Sequence, residues 1–183
     1  MLWRAVPGKR GGELEVPPGG WVLLVGPRNL NTTMLNAIAR LGEGGAVRVL
    51  DGGNRFNAYL VARAARGRPE VLNRITVSRA FTCYQVCSLL EGTPATPVPF
   101  VVLDMLSTFY DESVQVGERK RLLQACTRHL DRLAGAAGGA VSVHPPKMPS
   151  QAAIDLLGML ESSASDTYFI QPPAPAPEPL RLF

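Results

Sequence analysis

Short apolar runs alternate along the chain with stretches of helical period. Trp21-Val22-Leu23-Leu24-Val25 is apolar at every position, which predicts a strand covered on both faces. Further strands are expected over 47–51, 74–78, 100–106, 140–144 and 167–170. Helices are expected between them, over 32–41, 54–66, 82–91, 115–134 and 150–162. Strands without a polar face, separated by helices, predict an α/β fold with a mostly parallel β-sheet and helices on both faces. Right-handed crossovers then gather the residues that follow each strand on one edge, where open α/β sheets hold their ligands. Residues 26–33, 51–54, 79–82, 104–108 and 144–147 belong to that edge.

The two ends of the chain read differently. Residues 1–20 are rich in Gly and Pro and close on Pro17-Pro18-Gly19-Gly20, a turn into the first apolar run. Residues 171–183 hold five prolines and no periodicity, so they read as an extended, disordered tail beyond a single core over 1–170. A chain of 183 residues that is 46% apolar can build such a core without a disulfide or metal staple. Lys and Arg exceed Asp and Glu by 19 − 15 = 4, which permits contact with nucleic acid or acidic lipid without requiring either. Three cysteines and no apolar leader imply reduced thiols and a cytoplasmic setting. No apolar run approaches the ~20 residues that span a bilayer, so no membrane association is expected. Cys83 and Cys87, four apart on one helix, read as packing residues. His129 and His144 have no partners at zinc-ligand spacing, so no structural metal site is expected.

Candidate chemistry begins just after the first strand. Gly26-Pro27-Arg28-Asn29-Leu30-Asn31-Thr32-Thr33 stands between a strand and a helix, where a phosphate-binding loop belongs. The working pattern is G-x-x-x-x-G-K-[ST]: glycines turn backbone N–H groups toward phosphates, the lysine reaches the β and γ oxygens, and the hydroxyl holds magnesium. Gly26 and the hydroxyl of Thr33 remain, whereas Asn31 replaces the second glycine and Thr32 the lysine. Asn accepts positive φ more readily than most residues, which would preserve the turn. Arg28 is the nearest substitute for the lost charge. The same residues also fit a plain strand-turn-helix in which Asn31 caps the helix. Asp104 closes the apolar run Phe100-Val101-Val102-Leu103, the form that sets a carboxylate against the magnesium of a nucleotide. An aspartate there is equally a turn former.

Asp51-Gly52-Gly53-Asn54-Arg55-Phe56, then Arg79-Ala80-Phe81-Thr82, then Val101-Val102-Leu103-Asp104 with Ser107 shortly after, resemble successive landmarks of the RecA/RadA recombinase superfamily, archaeal RadA and RadB in particular. The resemblance spans residues 12–170, and the arginine-alanine-aromatic stretch is its most specific part. It implies a RecA-like core with a nucleotide site at Gly26, Pro27, Arg28, Asn29, Asn31, Thr32, Thr33, Asp104 and His144. Thr33 and Asp104 would hold Mg2+ if ATP binds. Active relatives carry a glutamate two residues after the aspartate of the second strand, where this chain has Gly53. His144 stands nearest the polar residue that senses the γ-phosphate in relatives, although a histidine before Pro145-Pro146 also fits a solvated loop. Loss of lysine and glutamate removes charge stabilisation and positioning of the nucleophile, the two effects on which phosphoryl transfer depends. The resemblance therefore implies a pseudo-ATPase with a degenerate Walker A loop, holding Mg-ATP at most without hydrolysis.

Relatives hold DNA on loops after the fourth and fifth core strands. Here those loops are 107–117, acidic through Asp111 and Glu112, and 145–150, whose one basic residue is Lys147. On the helix after Gln115, Arg121, Arg128 and Arg132 recur at i, i+7 and i+11, opposite Leu122, Leu123, Cys126, Leu130 and Leu133. This stripe reads either as a DNA contact or as the solvated side of an amphipathic helix. Relatives also assemble by lodging an aromatic-x-x-alanine peptide on the next subunit. Leu2 and Ala5 have that spacing, and Leu180-Arg181-Leu182-Phe183 is a second apolar peptide. A homo-oligomer or a hetero-partner of RecA/RadA type, and a role in DNA recombination or repair, follow from the resemblance alone. Two other readings stay open: an interaction scaffold that binds neither nucleotide nor DNA, and an ATPase in which Arg28 or a neighbouring subunit supplies the missing charge.

Overall fold

The computed structural model describes residues 17–170 together with 2–3 and 14–15. Leu2–Trp3 (β1) and Leu14–Glu15 (β2) form a small antiparallel pair. Of the two expected docking peptides, only Leu2 and Trp3 fall among the described residues; Ala5, residues 180–183 and the rest of the tail lie outside them.

The remaining strands make one six-stranded sheet, parallel throughout. They are β3 (Trp21–Val25), β4 (Val47–Asp51), β5 (Ile75–Arg79), β6 (Phe100–Leu103), β7 (Gly139–Val143) and β8 (Asp166–Phe169). Their order across the sheet is β5-β4-β6-β7-β3-β8. The crossovers carry α1 (Leu30–Gly44), α2 (Ala58–Ala64), α3 (Cys83–Gly92), α4 (Val116–Ala134) and α5 (Gln151–Ser163). The fold is α/β, as the apolar pattern predicts.

Period-two alternation feeds two cores. Along β3, Trp21, Leu23 and Val25 pack under α3, α4 and α5, while Val22 and Leu24 pack under α1 and α2. Phe100 and Val102 of β6 point the first way, Val101 and Leu103 the second. The outer strands β5 and β8 are only partly covered, so their polar positions face water. Gly139 pairs with Trp21 on one side and Phe100 on the other, and a Cβ there would overlap the Phe100 ring. Trp21 buries its ring and donates its indole N–H to Asp131 Oδ1 at 2.8 Å, which satisfies a polar atom that burial would otherwise strand. Cys83, Cys87 and Cys126 all pack into the core under α3, α4 and α5, and burial pushes the Cys83 and Cys126 thiols up. Among the described residues no helix is long and apolar enough to cross a membrane.

Two expected elements are shorter than their patterns. The helix expected from residue 54 starts only at Ala58, because Asn54 has a φ of 54° and Asn57 provides the cap, accepting from the Leu60 N–H at 3.1 Å. The strand expected through residue 106 ends at Leu103, because Asp104 turns to a φ of 49° and the chain enters a 3-10 turn, Ser107–Tyr110. A second 3-10 turn, Pro69–Arg74, precedes β5.

The layering places the site. Helices α1 and α2, which follow β3 and β4, cover one face, and α3, α4 and α5, which follow β5, β6 and β7, cover the other. Neighbouring strands whose crossovers leave on opposite faces open a crevice at their carboxyl ends. That happens between β3 and β7 and on both sides of β4.

Candidate functional site at the carboxyl edge

Asp51, fully buried at the end of β4, organises one flank of this edge. Its Oδ1 accepts from the Arg55 N–H at 2.8 Å and its Oδ2 from the Phe56 N–H at 2.9 Å, which winds residues 51–56 into a tight loop. Arg79, the last residue of β5, donates its Nε to the same Oδ2 at 3.2 Å and its Nη2 to the Phe56 carbonyl at 2.9 Å. Beyond it Thr82 caps α3, accepting the Gln85 N–H at 3.2 Å, while Gln85 Oε1 accepts the Phe81 N–H at 2.8 Å.

Asp104 organises the other flank. Its N–H donates to Ser142 Oγ of β7 at 3.0 Å, and its Oδ2 accepts from Arg55 Nε at 2.8 Å. Its Oδ1 accepts the main-chain N–H of His144 at 3.2 Å and lies 3.1 Å from His144 Nδ1. That last contact is within ion-pair distance, but among the described residues neither ring nitrogen of His144 makes a hydrogen bond, and it is an ion pair only when the ring is protonated. Burial alone would raise the Asp104 pKa. The His144 ring, and after it the Arg55 guanidinium, outweigh burial and hold the carboxyl below its ordinary range. The Tyr110 phenol is pushed the other way, first by burial and then by the Asp104 carboxylate. His144 itself is buried at 8% exposure, which corrects the solvated-loop reading: it follows β7 directly and Asp104 covers it.

The loop after β3 is tied into the same edge. Asn31 Nδ2 donates to the Arg55 carbonyl at 3.1 Å, linking the start of α1 to the Asp51 loop. The N–H groups of Leu30, Asn31 and Thr32 donate to the carbonyls of Pro27, Arg28 and Asn29 at 2.9, 3.2 and 3.1 Å. These three amides thus close the first turn of α1 rather than facing a phosphate. No residue from 26 to 33 has positive φ, so Asn31 does not take the place of the missing glycine. Nor does it cap the helix: Asn29 is the N-cap, without a side-chain bond, and Asn31 lies inside α1. Arg28 and Thr32 are exposed, Pro27 and Thr33 half-buried. Gly26 is buried, and a Cβ there would come within 3.0 Å of Ile170 Cβ and 3.1 Å of its carbonyl oxygen. Close approach of the chain leaving β8 accounts for that glycine.

Position 53, where the RecA/RadA pattern that the sequence resembles has a glutamate, is covered by Asp104. A Cβ on Gly53 would lie 2.6 Å from Asp104 Cβ and 2.7 Å from its Oδ2. The residues present therefore do not fit a magnesium nucleotide held as a phosphate-binding loop holds one. The amides of Leu30, Asn31 and Thr32 are engaged, a guanidinium sits on Asp104, and a Cβ at position 53 would overlap Asp104. Among the described residues no group of three or more His, Cys, Asp or Glu is placed to hold a metal ion.

The basic stripe on α4 is partly committed to the protein's own structure. Arg121 makes a two-pronged pair with Glu118 at 2.8 and 2.7 Å. Arg132 Nη2 donates to the carbonyls of Leu90, Glu91 and Thr93 at 2.9, 3.3 and 2.9 Å, which satisfies the carboxyl end of α3. Arg128 and Lys147 are exposed. Arg132→Ala is accordingly expected to lower stability by about 1.5 kcal/mol, the scale of a hydrogen bond to a charged donor. Thermal melting and DNA titration over a salt series check this. A capping role shifts the melting temperature and leaves the salt slope unchanged, whereas a phosphate contact reduces the slope by about one.

From the sequence, Arg79 is expected on this edge without a role, and Arg55 and Ser142 are not expected as site residues. Ser142 left a trace, as the lone polar residue in the buried run Ala140-Val141-Ser142-Val143. Arg55 stands in the landmark stretch 51–56, but nothing local gives its role, since its partner Asp104 lies 49 residues further on. No protein-family model matches the chain, and no curated protein matches it.

Proposed function

We propose that this chain is a non-hydrolysing RecA/RadA-like subunit that acts in DNA recombination or repair by assembling with itself or with an active relative. The observation that carries the reading is convergence: Asp51 to Phe56, Arg79 and Asp104, from the three separate stretches that resemble the family, join one polar network at the carboxyl edge of a parallel sheet. Absence of hydrolysis is supported by Thr32 and Gly53 in place of lysine and glutamate and by the engaged amides of Leu30, Asn31 and Thr32. A domain that keeps the core but not the reactive groups retains its surfaces for docking, and head-to-tail docking repeats into rings or filaments.

Phosphate release and sedimentation of the full chain test this. The expected result is no ATP turnover above that of Asp104→Asn, together with a mass above the monomer, alone or with a RecA/RadA-type recombinase and DNA. Turnover of about 1 per second or more, abolished by Asp104→Ala, supports the ATPase reading instead. A chain that stays monomeric with DNA, nucleotide and recombinase is the scaffold.

A further inference from the structure

We infer that Arg55 is a built-in replacement for a divalent cation at Asp104, so that this edge of the sheet is closed to Mg2+ and any ligand that docks there does so without metal. The inference rests on reading Asp104 as the metal-positioning carboxylate of the proposed function.

Both oxygens of Asp104 are in use. Oδ2 accepts from Arg55 Nε at 2.8 Å, and Oδ1 faces the main-chain N–H and the ring of His144 at 3.2 and 3.1 Å. Mg2+ demands near-octahedral oxygen ligands at about 2.0–2.1 Å and gives up its waters reluctantly, so it would have to expel the guanidinium to reach Asp104. The main chain that carries that guanidinium is fixed beside Asp104. The Arg55 N–H is held by Asp51 Oδ1 at 2.8 Å and its carbonyl by Asn31 Nδ2 at 3.1 Å, which pins the main chain on both sides of the Cα. A competitor fixed in the same chain acts at a high effective concentration.

The second carboxylate of the edge offers no alternative. Asp51 carries Arg79 on Oδ2 and two main-chain N–H groups, so each acid has its own guanidinium. Two negative and two positive charges leave no excess of anionic ligands to draw a dication. Gly53 completes the arrangement, since the absent Cβ leaves Asp104 the space in which it meets Arg55.

Mn2+ titration of the full chain, followed by the resonance signal of free Mn2+ and without nucleotide or DNA, tests this. Wild type and Asp104→Asn should leave Mn2+ equally free. Arg55→Gln, which removes the charge, should bind it roughly tenfold or more tighter, the scale on which a partner of a ligating group tunes a metal site. That gain should disappear in Arg55→Gln with Asp104→Asn, and Arg55→Lys should behave as wild type. Circular dichroism confirms folding, and Arg55→Met, which keeps the aliphatic stem, serves if the glutamine variant unfolds. Mn2+ binding by wild type that is lost in Asp104→Asn overturns the inference, as does a folded, uncharged variant without the gain. Either outcome leaves an assembling subunit standing. Failure to assemble removes the assembly part of the proposed function, whereas the Mn2+ titration alone decides the role of Arg55.

Discussion

Asp104→Ala is expected to lower the stability of the chain by about 3 kcal/mol, the lower end of the range for removing one partner from a buried ion pair. Three consequences add. The Arg55 guanidinium loses its partner, although its side chain is 32% exposed and recovers part of the difference by rehydration. The main-chain N–H of His144 is left buried without an acceptor. An alanine must also adopt a φ of 49°, a conformation that costs L-residues roughly 1–2 kcal/mol and that Asp and Asn tolerate better. Asp104→Asn therefore loses less than Asp104→Ala, and the difference between the two separates shape from charge.

The pH dependence follows with a definite sign. The Asp104 carboxyl is held below its ordinary range in the folded chain, so folding favours its ionised form. That stability is fully present above the unfolded carboxyl value of about 4 and is lost as pH falls from there through the depressed folded value. Urea unfolding from neutral to acid pH checks it. Wild type should weaken through this window more steeply than Asp104→Asn, and equal acid slopes would remove Asp104 from the account.

Gly53→Ala is expected to destabilise the chain by about 1–3 kcal/mol, the usual range for overpacking. A free surface aspartate would swing aside from a new methyl group. Asp104 cannot, because Arg55, His144 and its own left-handed backbone hold it where the Cβ would fall, 2.6 Å from its own Cβ. Gly53→Glu should be worse still. Thr32→Lys combined with Gly53→Glu, which introduces both residues of the resembled RecA/RadA pattern, should yield a less stable chain without ATP turnover, since the amides of Leu30, Asn31 and Thr32 remain in the first turn of α1. Melting curves and phosphate release measure both effects. A Gly53→Ala chain that melts with wild type would mean that Asp104 yields after all.

The order of strands and helices was legible along the chain because each buried strand carries its own evidence. Trp21 to Val25 can satisfy its apolar side chains only between two layers, and the periodic leucines of α4 need a single face to cover. Asp104 was legible as a carboxylate at a strand end for the same local reason. The choice among its roles was not, since a carboxylate accepts equally from a metal site's waters, a main-chain N–H or a guanidinium. Only the fold, by laying β4, β6 and β7 side by side, brings Arg55 and His144 onto it from 49 and 40 residues away.

The loop at Gly26 divides the same way. Its missing lysine is plain in the sequence. Whether Asn31 would open the turn or cap the helix is not, and it does neither: it lies inside α1 with its Nδ2 on the Arg55 carbonyl. Arg132 reads in sequence as one charge of a stripe, either a DNA contact or a solvated helix face, yet the packing of α4 against α3 sets it over three carbonyls at the end of α3. Apolar burial is written into short windows of sequence because it depends on each side chain's own transfer from water. Pairing of polar groups depends on which distant partner the folded chain delivers within about 3 Å, and only the tertiary structure decides that.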